Sequence, residues 1–301
     1  MGFFKRHQGR ASYELFTNYA HYLPGMGGMA MLFFLFIIGS LIGSLLSGLF
    51  TLAMGSSDVV QSYSMLISYP VSFIPPLLYA SSKSRRNELF DTGYALDSNN
   101  FGSKGGLIIA LTVSFATIAA AYVSEPISSM LPDMPEVLEN ALKSITNGPL
   151  WASLISVSIF APLFEEWLCR GLVLRGLLNK MSPAGAICVS ALFFAVLHLN
   201  PWQAIPAFIL GLLFGYVYYR TGSLKLTMLM HCVNNTFATI FSRIPKFEDA
   251  DTFMDILSPW KYAAVFVLCV LILASALTII RAIPVKDTRM GNCDKVDPLS
   301  I

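Results

Sequence analysis

The stretch GPLWASLISVSIFAPLFEEWLCR, residues 148–170, runs from Gly148 to Phe164 without a charged side chain and then presents Glu165, Glu166 and Arg170. An apolar run of this length covers most of a bilayer's hydrocarbon. Ionisable groups at such a depth are costly unless they are paired or put to use. The stretch therefore reads as a membrane-spanning helix that carries chemistry.

Three more motifs follow: Phe194-x-x-x-His198, Thr221-Gly-Ser-Leu224 and His231-x-x-x-Asn235. Each lies in or against another apolar stretch. The composition agrees: 55% hydrophobic and 13% charged residues, with a mean hydropathy of +0.62, against about 25% charged residues in soluble proteins. Span-length segments fall near 30–53, 61–81, 106–123, 148–168, 184–199, 203–219, 224–242 and 261–280. The expected fold is an all-α polytopic membrane helix bundle of about eight transmembrane helices.

Placing the N-terminus in the cytoplasm puts 16 of the 20 Lys and Arg residues on cytoplasmic segments, Arg170, Arg175 and Arg220 among them. The two outer loops holding Lys143, Arg243, Lys246 and Lys261 also carry an acidic excess, including Glu125, Glu136, Glu248 and Asp249. Both termini are thus expected in the cytoplasm of a multi-pass cell-membrane protein. A net charge of +2 with no basic block argues against a nucleic-acid partner. No removable signal peptide or lipidation box is seen.

The five cysteines have no CxxC spacing and read as small buried apolar residues. HExxH, P-loop and GxSxG signatures are absent. The whole chain, 1–301, reads as one integral membrane domain. Residues 1–147 form scaffold helices, 148–242 the working helices, and 243–301 an outer loop, a last span and a tail.

Spacing assigns partners within the working part. Glu166 and Arg170 are i and i+4, share a helix face and form an ion pair, which leaves Glu165 as the carboxylate able to take and give a proton. Glu165 lies 17 residues before Ser182 and His198 lies 16 after it. If an antiparallel hairpin turns at Met181, Ser182 and Pro183, both sit roughly 24 Å along their helices at 1.5 Å per residue. They are expected to face each other, provided the first helix continues to about Asn179.

Ser223 is a plausible N-cap for the helix bearing His231 and Asn235. Those two residues lie only about 12 and 18 Å along it, shallower than Glu165, so that helix must tilt, start deeper or be offset. Gly211 and Gly215 read as a close-packing pair, and Tyr216, Tyr218 and Tyr219 as an interfacial belt.

The order EExxxR, FxxxH, HxxxN, with Thr-Gly-Ser-Leu before the last, resembles the CPBP family of intramembrane proteases, which includes CAAX prenyl endopeptidases, bacteriocin-processing proteins and the Abi group. The resemblance covers roughly residues 148–242. It implies that Glu165 is the catalytic carboxylate, completed by Glu166 and Arg170, that His198 is the second-motif histidine, and that His231 and Asn235 are the third-motif pair.

Two mechanisms fit these groups. In one, Glu165, His198 and His231 hold a divalent ion, Zn2+ by donor type, that activates water. In the other, Glu165 and His198 activate water directly while His231 and Asn235 stabilise the oxyanion. The expected function is hydrolysis of a peptide bond in a membrane-embedded or lipid-associated substrate, a membrane peptide or lipid-modified protein. The alternative is a non-catalytic membrane immunity or signalling-regulator protein that uses the same polar cluster.

Overall fold

A computed structural model of the chain describes residues 17–88, 93–244, 252–285 and 295–296. Lys5, Arg6, Arg10, Lys246, Glu248, Asp249, Asp251, Lys286, Arg289 and Cys293, which entered the charge and cysteine reading, lie outside the described residues.

The architecture is helical throughout the bundle. The long elements are α1 (Met26–Met54), α2 (Asp58–Asn87), α3 (Gly106–Ser128) and an amphipathic α4 (Glu136–Asn147). They continue as α5 (Leu150–Leu178), α6 (Pro183–Val196), α7 (Pro201–Thr221), α8 (Leu224–Phe241), a single-turn α9 (Phe253–Ile256) and α10 (Pro259–Arg281). A two-residue antiparallel pairing joins Gly93–Tyr94 to Lys295–Val296. Helices α1, α3, α5, α7 and α10 are long and apolar enough to cross a membrane. The other three expected spans are helices as well. α2 carries Ser, Tyr and three prolines, α6 is only 14 residues long, and α8 carries the polar motif. The protein is a multi-pass membrane helix bundle.

Helix ends follow local chemistry. α5 runs to Leu178 and Asn179 closes it. Ser182 accepts the Gly185 N–H at 3.4 Å and Pro183 occupies the first helical position of α6, a pairing that starts a helix. The hairpin expected at Met181–Pro183 is therefore present. Asn200 accepts the Gln203 N–H at 2.9 Å, with Pro201 first in α7, so almost no loop separates α6 from α7. Gly222 closes α7 in the left-handed region at φ 66°, as a glycine after a helix commonly does. Ser223 then caps α8 by accepting the Leu226 N–H at 3.4 Å.

Each half of the bundle contains one close helix approach. Gly211 and Gly215 on α7 leave little room for a side chain: a Cβ would lie 3.1 Å from Ala191 and from Ile187 of α6, respectively. The second approach joins α1 to α2. Pro76 has no N–H to offer the Ser72 carbonyl four residues back, and Gly39 of α1 packs against that carbonyl. A Cβ at position 39 would stand 2.2 Å from Ser72 O, and one at Gly43 would stand 2.6 Å from Ser68 O. Because backbone cannot yield as a flexible side chain does, Gly39→Val is expected to destabilise the protein by about 3 kcal/mol, at the upper end of overpacking costs. Unfolding in mild detergent measures this, and an unchanged midpoint would contradict the packing described.

Sequence position misled on several polar residues. Arg170 and Arg175 are fully buried, so they act as internal donors rather than as solvated charges orienting a loop. Arg220 donates to the carbonyls of Arg281 and Ile283. Tyr218 is only 1% exposed and donates to Leu96 O at 2.8 Å. It is a core residue, while Tyr216 and Tyr219 remain partly exposed. The cysteines within the described residues are free thiols, with Cys169 and Cys269 buried.

Candidate active site

Helix α5 is not uniformly α-helical. Residues 154–160 and 167–174 are π-helical, and they flank the short α segment Ala161–Glu166 that ends on the two glutamates. Such widened turns are rare and concentrate where a helix must aim side chains at a site. They also leave backbone carbonyls short of partners. One of these, Val157 O, accepts from Asn235 Nδ2 at 2.7 Å, and Asn235 Oδ1 in turn accepts from Asn234 at 3.1 Å. Asn235 thus ties α8 to the first π stretch, with one of its two amide hydrogens committed.

Glu166 is fully buried. Its Oε1 accepts from Arg170 Nη1 at 2.8 Å and from His231 Nδ1 at 3.0 Å. Arg170 Nη2 donates to Gly211 O at 3.0 Å, the carbonyl that the absent side chain of Gly211 leaves open. The guanidinium lies over the rings of Phe194 and Phe214, with its carbon 4.5 and 5.4 Å from their centroids, close enough for cation–π attraction. The i, i+4 ion pair expected from the sequence is present, and it extends to a third partner on α8.

Glu165 points elsewhere. Its Oε1 accepts a short hydrogen bond from the Tyr69 hydroxyl on α2. Its Oε2 is buried, makes no hydrogen bond and faces His231 Nε2 at 3.9 Å. That separation is too long for a direct hydrogen bond, and such gaps suit a bridging water. His231 has Nδ1 against the carboxylate of Glu166. A carboxylate already paired with arginine accepts hydrogen bonds, so Nδ1 carries the proton and Nε2 presents its lone pair toward Glu165.

His198 lies just beyond α6, in the turn that leads to α7. Its Nδ1 is 3.0 Å from Phe194 O. A carbonyl can only accept, so the same argument leaves His198 Nε2 as the free nitrogen. Its ring meets Phe194 edge to face at 5.2 Å, and Phe194 meets His231 the same way at 5.4 Å. The Phe194 ring therefore stands between the two imidazoles. The next residue, Leu199, adopts φ 56°, an uncommon backbone state for a branched side chain, at the point where the chain reverses after His198.

The structure brings Glu165, Glu166, Arg170 and His231 into one cluster, with Asn235 buttressing it and His198 across Phe194. Among the described residues no polar contact joins Glu165 to His198; Glu165 instead approaches His231. Nor does any group of three His, Cys, Asp or Glu side chains converge as a metal site among the described residues. The donor set Glu165, His198 and His231 thus does not fit a Zn2+ ion in this arrangement, and no step below passes through one.

The depth tension for α8 is resolved by its starting point. Thr221, Ser223 and Leu224 are buried beneath the segment that follows Tyr94. Ser98 N–H donates to Gly222 O at 2.8 Å and Ser98 Oγ to Thr221 O at 3.1 Å. Asp97 accepts from Ser223 Oγ and from the Lys225 N–H, both at 3.2 Å, and pairs with Lys225 Nζ at 2.9 Å. A carboxylate at a helix N-terminus complements the helix dipole. Helix α8 therefore begins inside the protein, and its third turn brings His231 to the glutamates.

Tyr69 and Asp97 had no place in the sequence reading, and neither did the role of Arg175. The Arg175 guanidinium donates to the carbonyls of Tyr19 (2.8 Å), Ala20 (3.3 Å), Tyr22 (2.9 Å) and Tyr94. A signal for Tyr69 existed in α2: a phenol one residue before Pro70, within a segment too polar to be only lipid-facing.

Residues 147–237 match the family described as Type II CAAX prenyl endopeptidase Rce1-like. The chain is also 32% identical over 92 residues to a protein of Staphylococcus aureus (strain USA300) named membrane-embedded CAAX protease MroQ. That alignment covers 28% of this chain and 37% of the relative, so the likeness spans little more than a third of the relative's length. No solved structure matches the chain. The matched residues are those of α5 to α8, on which Glu165, Glu166, Arg170, His198, His231 and Asn235 are mounted, and over this segment the chain is similar to Rce1-like CAAX prenyl endopeptidases.

Proposed function

We propose that this protein is an intramembrane endopeptidase that hydrolyses a peptide bond of a membrane-embedded or lipid-modified substrate, with both chain termini in the cytoplasm. The observation that carries the reading is the 3.9 Å gap between Glu165 Oε2 and His231 Nε2, each the free atom of a group otherwise pinned. A water in that gap gives one hydrogen bond to the carboxylate and one to the imidazole, which leaves an oxygen lone pair for a scissile carbonyl.

Glu165 takes the proton as the water attacks. Glu166, paired with Arg170, fixes the His231 tautomer and steadies the positive charge that ring acquires on sharing the proton. The uncommitted amide hydrogen of Asn235 is the donor available to the developing oxyanion. The proton that Glu165 has taken then passes to the leaving amine, and His198, whose Nε2 is free to accept a hydrogen bond, orients that amine.

Purified protein in detergent, incubated with fluorogenic membrane peptides, is expected to cleave them with or without a strong chelator. Cleavage is expected to fall sharply in His198→Ala. Absence of cleavage across a broad set of membrane and lipid-modified peptides, from protein shown to be folded, would overturn the reading.

Tyr69 is a positioning residue in this scheme, since its hydroxyl holds the carboxylate oxygen that does not face the water. Tyr69→Phe removes one hydrogen bond and keeps the ring packed 5.6 Å from Phe73. It is expected to lower kcat roughly tenfold with little change in KM, as loss of about 1–2 kcal/mol of orientation implies. Equal losses in Tyr69→Phe and Tyr69→Leu would be consistent with this role. Unchanged kcat in Tyr69→Phe would refute it.

A further inference from the structure

A cavity of about 630 Å3 lies between α3, α7, α8, α9 and α10. It is distinct from the glutamate site: its α8 wall is made by Asn234, Phe237 and Phe241, whereas His231 and Asn235 on that helix reach α5. Its volume is within the range of small-molecule pockets, and its lining is apolar save for a few groups, of which Glu125 is the only charged one.

Glu125 is poorly compensated. Oε1 accepts from the Phe253 N–H and the Tyr262 phenol is hydrogen-bonded to the carboxyl, but both of these partners are neutral. The ion pairs among the described residues all involve other groups. A carboxylate in an apolar cavity calls for a counter-ion, and the described residues supply none.

The rings of Tyr122, Phe241 and Phe253 line the same cavity as this carboxyl. Tyr122 lies 5.2 Å from Phe253 and 5.1 Å from Tyr262, and Phe253 lies 6.0 Å from Phe241, centroid to centroid. A carboxylate among aromatic faces is the recognition chemistry of an organic ammonium group. A hydrated or hard metal ion would need several more oxygen ligands than this wall offers. An anion would be repelled. Beyond the rings, Ile118, Leu210 and Val265 provide apolar lining long enough for an alkyl chain.

We propose that this cavity binds an amphiphilic ammonium compound, its head against Glu125 and the rings of Tyr122 and Phe253, and its alkyl chain along α3, α7 and α10. The site is independent of the peptidase reading and would serve as a second ligand site of the bundle.

The test uses the full chain in a nonionic detergent and three probes with the same chain length: hexyltrimethylammonium, hexanol and hexyl sulfate. A ligand that binds the native state raises the unfolding midpoint saturably. The cation is expected to do so with an apparent Kd at least tenfold tighter than either other probe. Glu125→Gln, which keeps an acceptor for the Phe253 N–H, is expected to lose that preference. Equal shifts with all three probes, or an unchanged preference in Glu125→Gln, would overturn the proposal. A measurement on the unmodified protein guards against misfolding of the variant: a photoactivatable alkylammonium should label peptides of α3, α8 or α9 in a manner competed by hexyltrimethylammonium. Competed labelling confined to other helices would also overturn it.

Discussion

Glu165→Ala is expected to reduce peptide cleavage on the order of 10³-fold, within the range a positioned general base contributes, while the protein remains folded. The expectation follows from how little else Glu165 does. Its side chain is 12% exposed, it lies outside the Glu166–Arg170 pair, and its bonds are one phenol and one gap. Removing it breaks no buried ion pair, so the cost should appear in catalysis rather than in unfolding. Glu165→Gln sharpens the test, because an amide still accepts from Tyr69 but cannot take a proton from water. Its activity should fall nearly as far as that of Glu165→Ala. Retention of more than a tenth of the activity in Glu165→Gln would remove Glu165 from the role of base, whatever the alanine variant does.

Arg170→Ala should act on the opposite axis, costing about 3–5 kcal/mol of stability, the penalty for breaking a buried ion pair and leaving one charge behind. Three things are lost together. The Glu166 carboxylate loses its cation, Gly211 O loses its donor, and the space over Phe194 and Phe214 empties. His231 then rests on an uncompensated carboxylate, so cleavage falls as well. The double substitution Glu166→Gln with Arg170→Met should recover much of the stability, since no lone charge remains. It should not recover the activity, since the His231 anchor has changed. If Arg170→Ala unfolds at the same midpoint as the unaltered protein, the buried pair is not the strut described here.

How far the sequence could be read depended on where each partner lay along the chain. The Glu166–Arg170 contact is four residues long, and helical spacing alone placed it. The α5–α6 hairpin was legible because Ser182 and Pro183 start helices for local reasons, and Ser223 capped α8 as its residue type suggests. Tyr69 and Asp97 were not legible. Tyr69 meets Glu165 across 96 residues and Asp97 meets Ser223 across 126, and nothing in the spacing of one segment reports what another brings to it.

The pairing of Glu165 with His198 by depth assumed a regular helix on both sides of the turn. The π stretches of α5, and the end of α6 at Val196 before His198, break that assumption. The same deviations, with a start to α8 inside the protein, let His231 reach the glutamates. The first 147 residues, which carry no motif, nonetheless supply Tyr69 to the carboxylate and the Asp97 cap to α8.

The knot around Arg175 has a chronological consequence. Tyr19, Ala20 and Tyr22 precede Arg175 by 153–156 residues, so at about 5–20 residues per second their carbonyls leave the ribosome roughly 8–30 s before their donor does. Helices α1 and α2 are made and can enter the bilayer in that interval, and the segment that opens the described chain can dock on α2 through His21 and Tyr22 while its carbonyls still wait for the guanidinium. The final fastening of that segment is therefore delayed until α5, the helix that carries the two glutamates, has arrived.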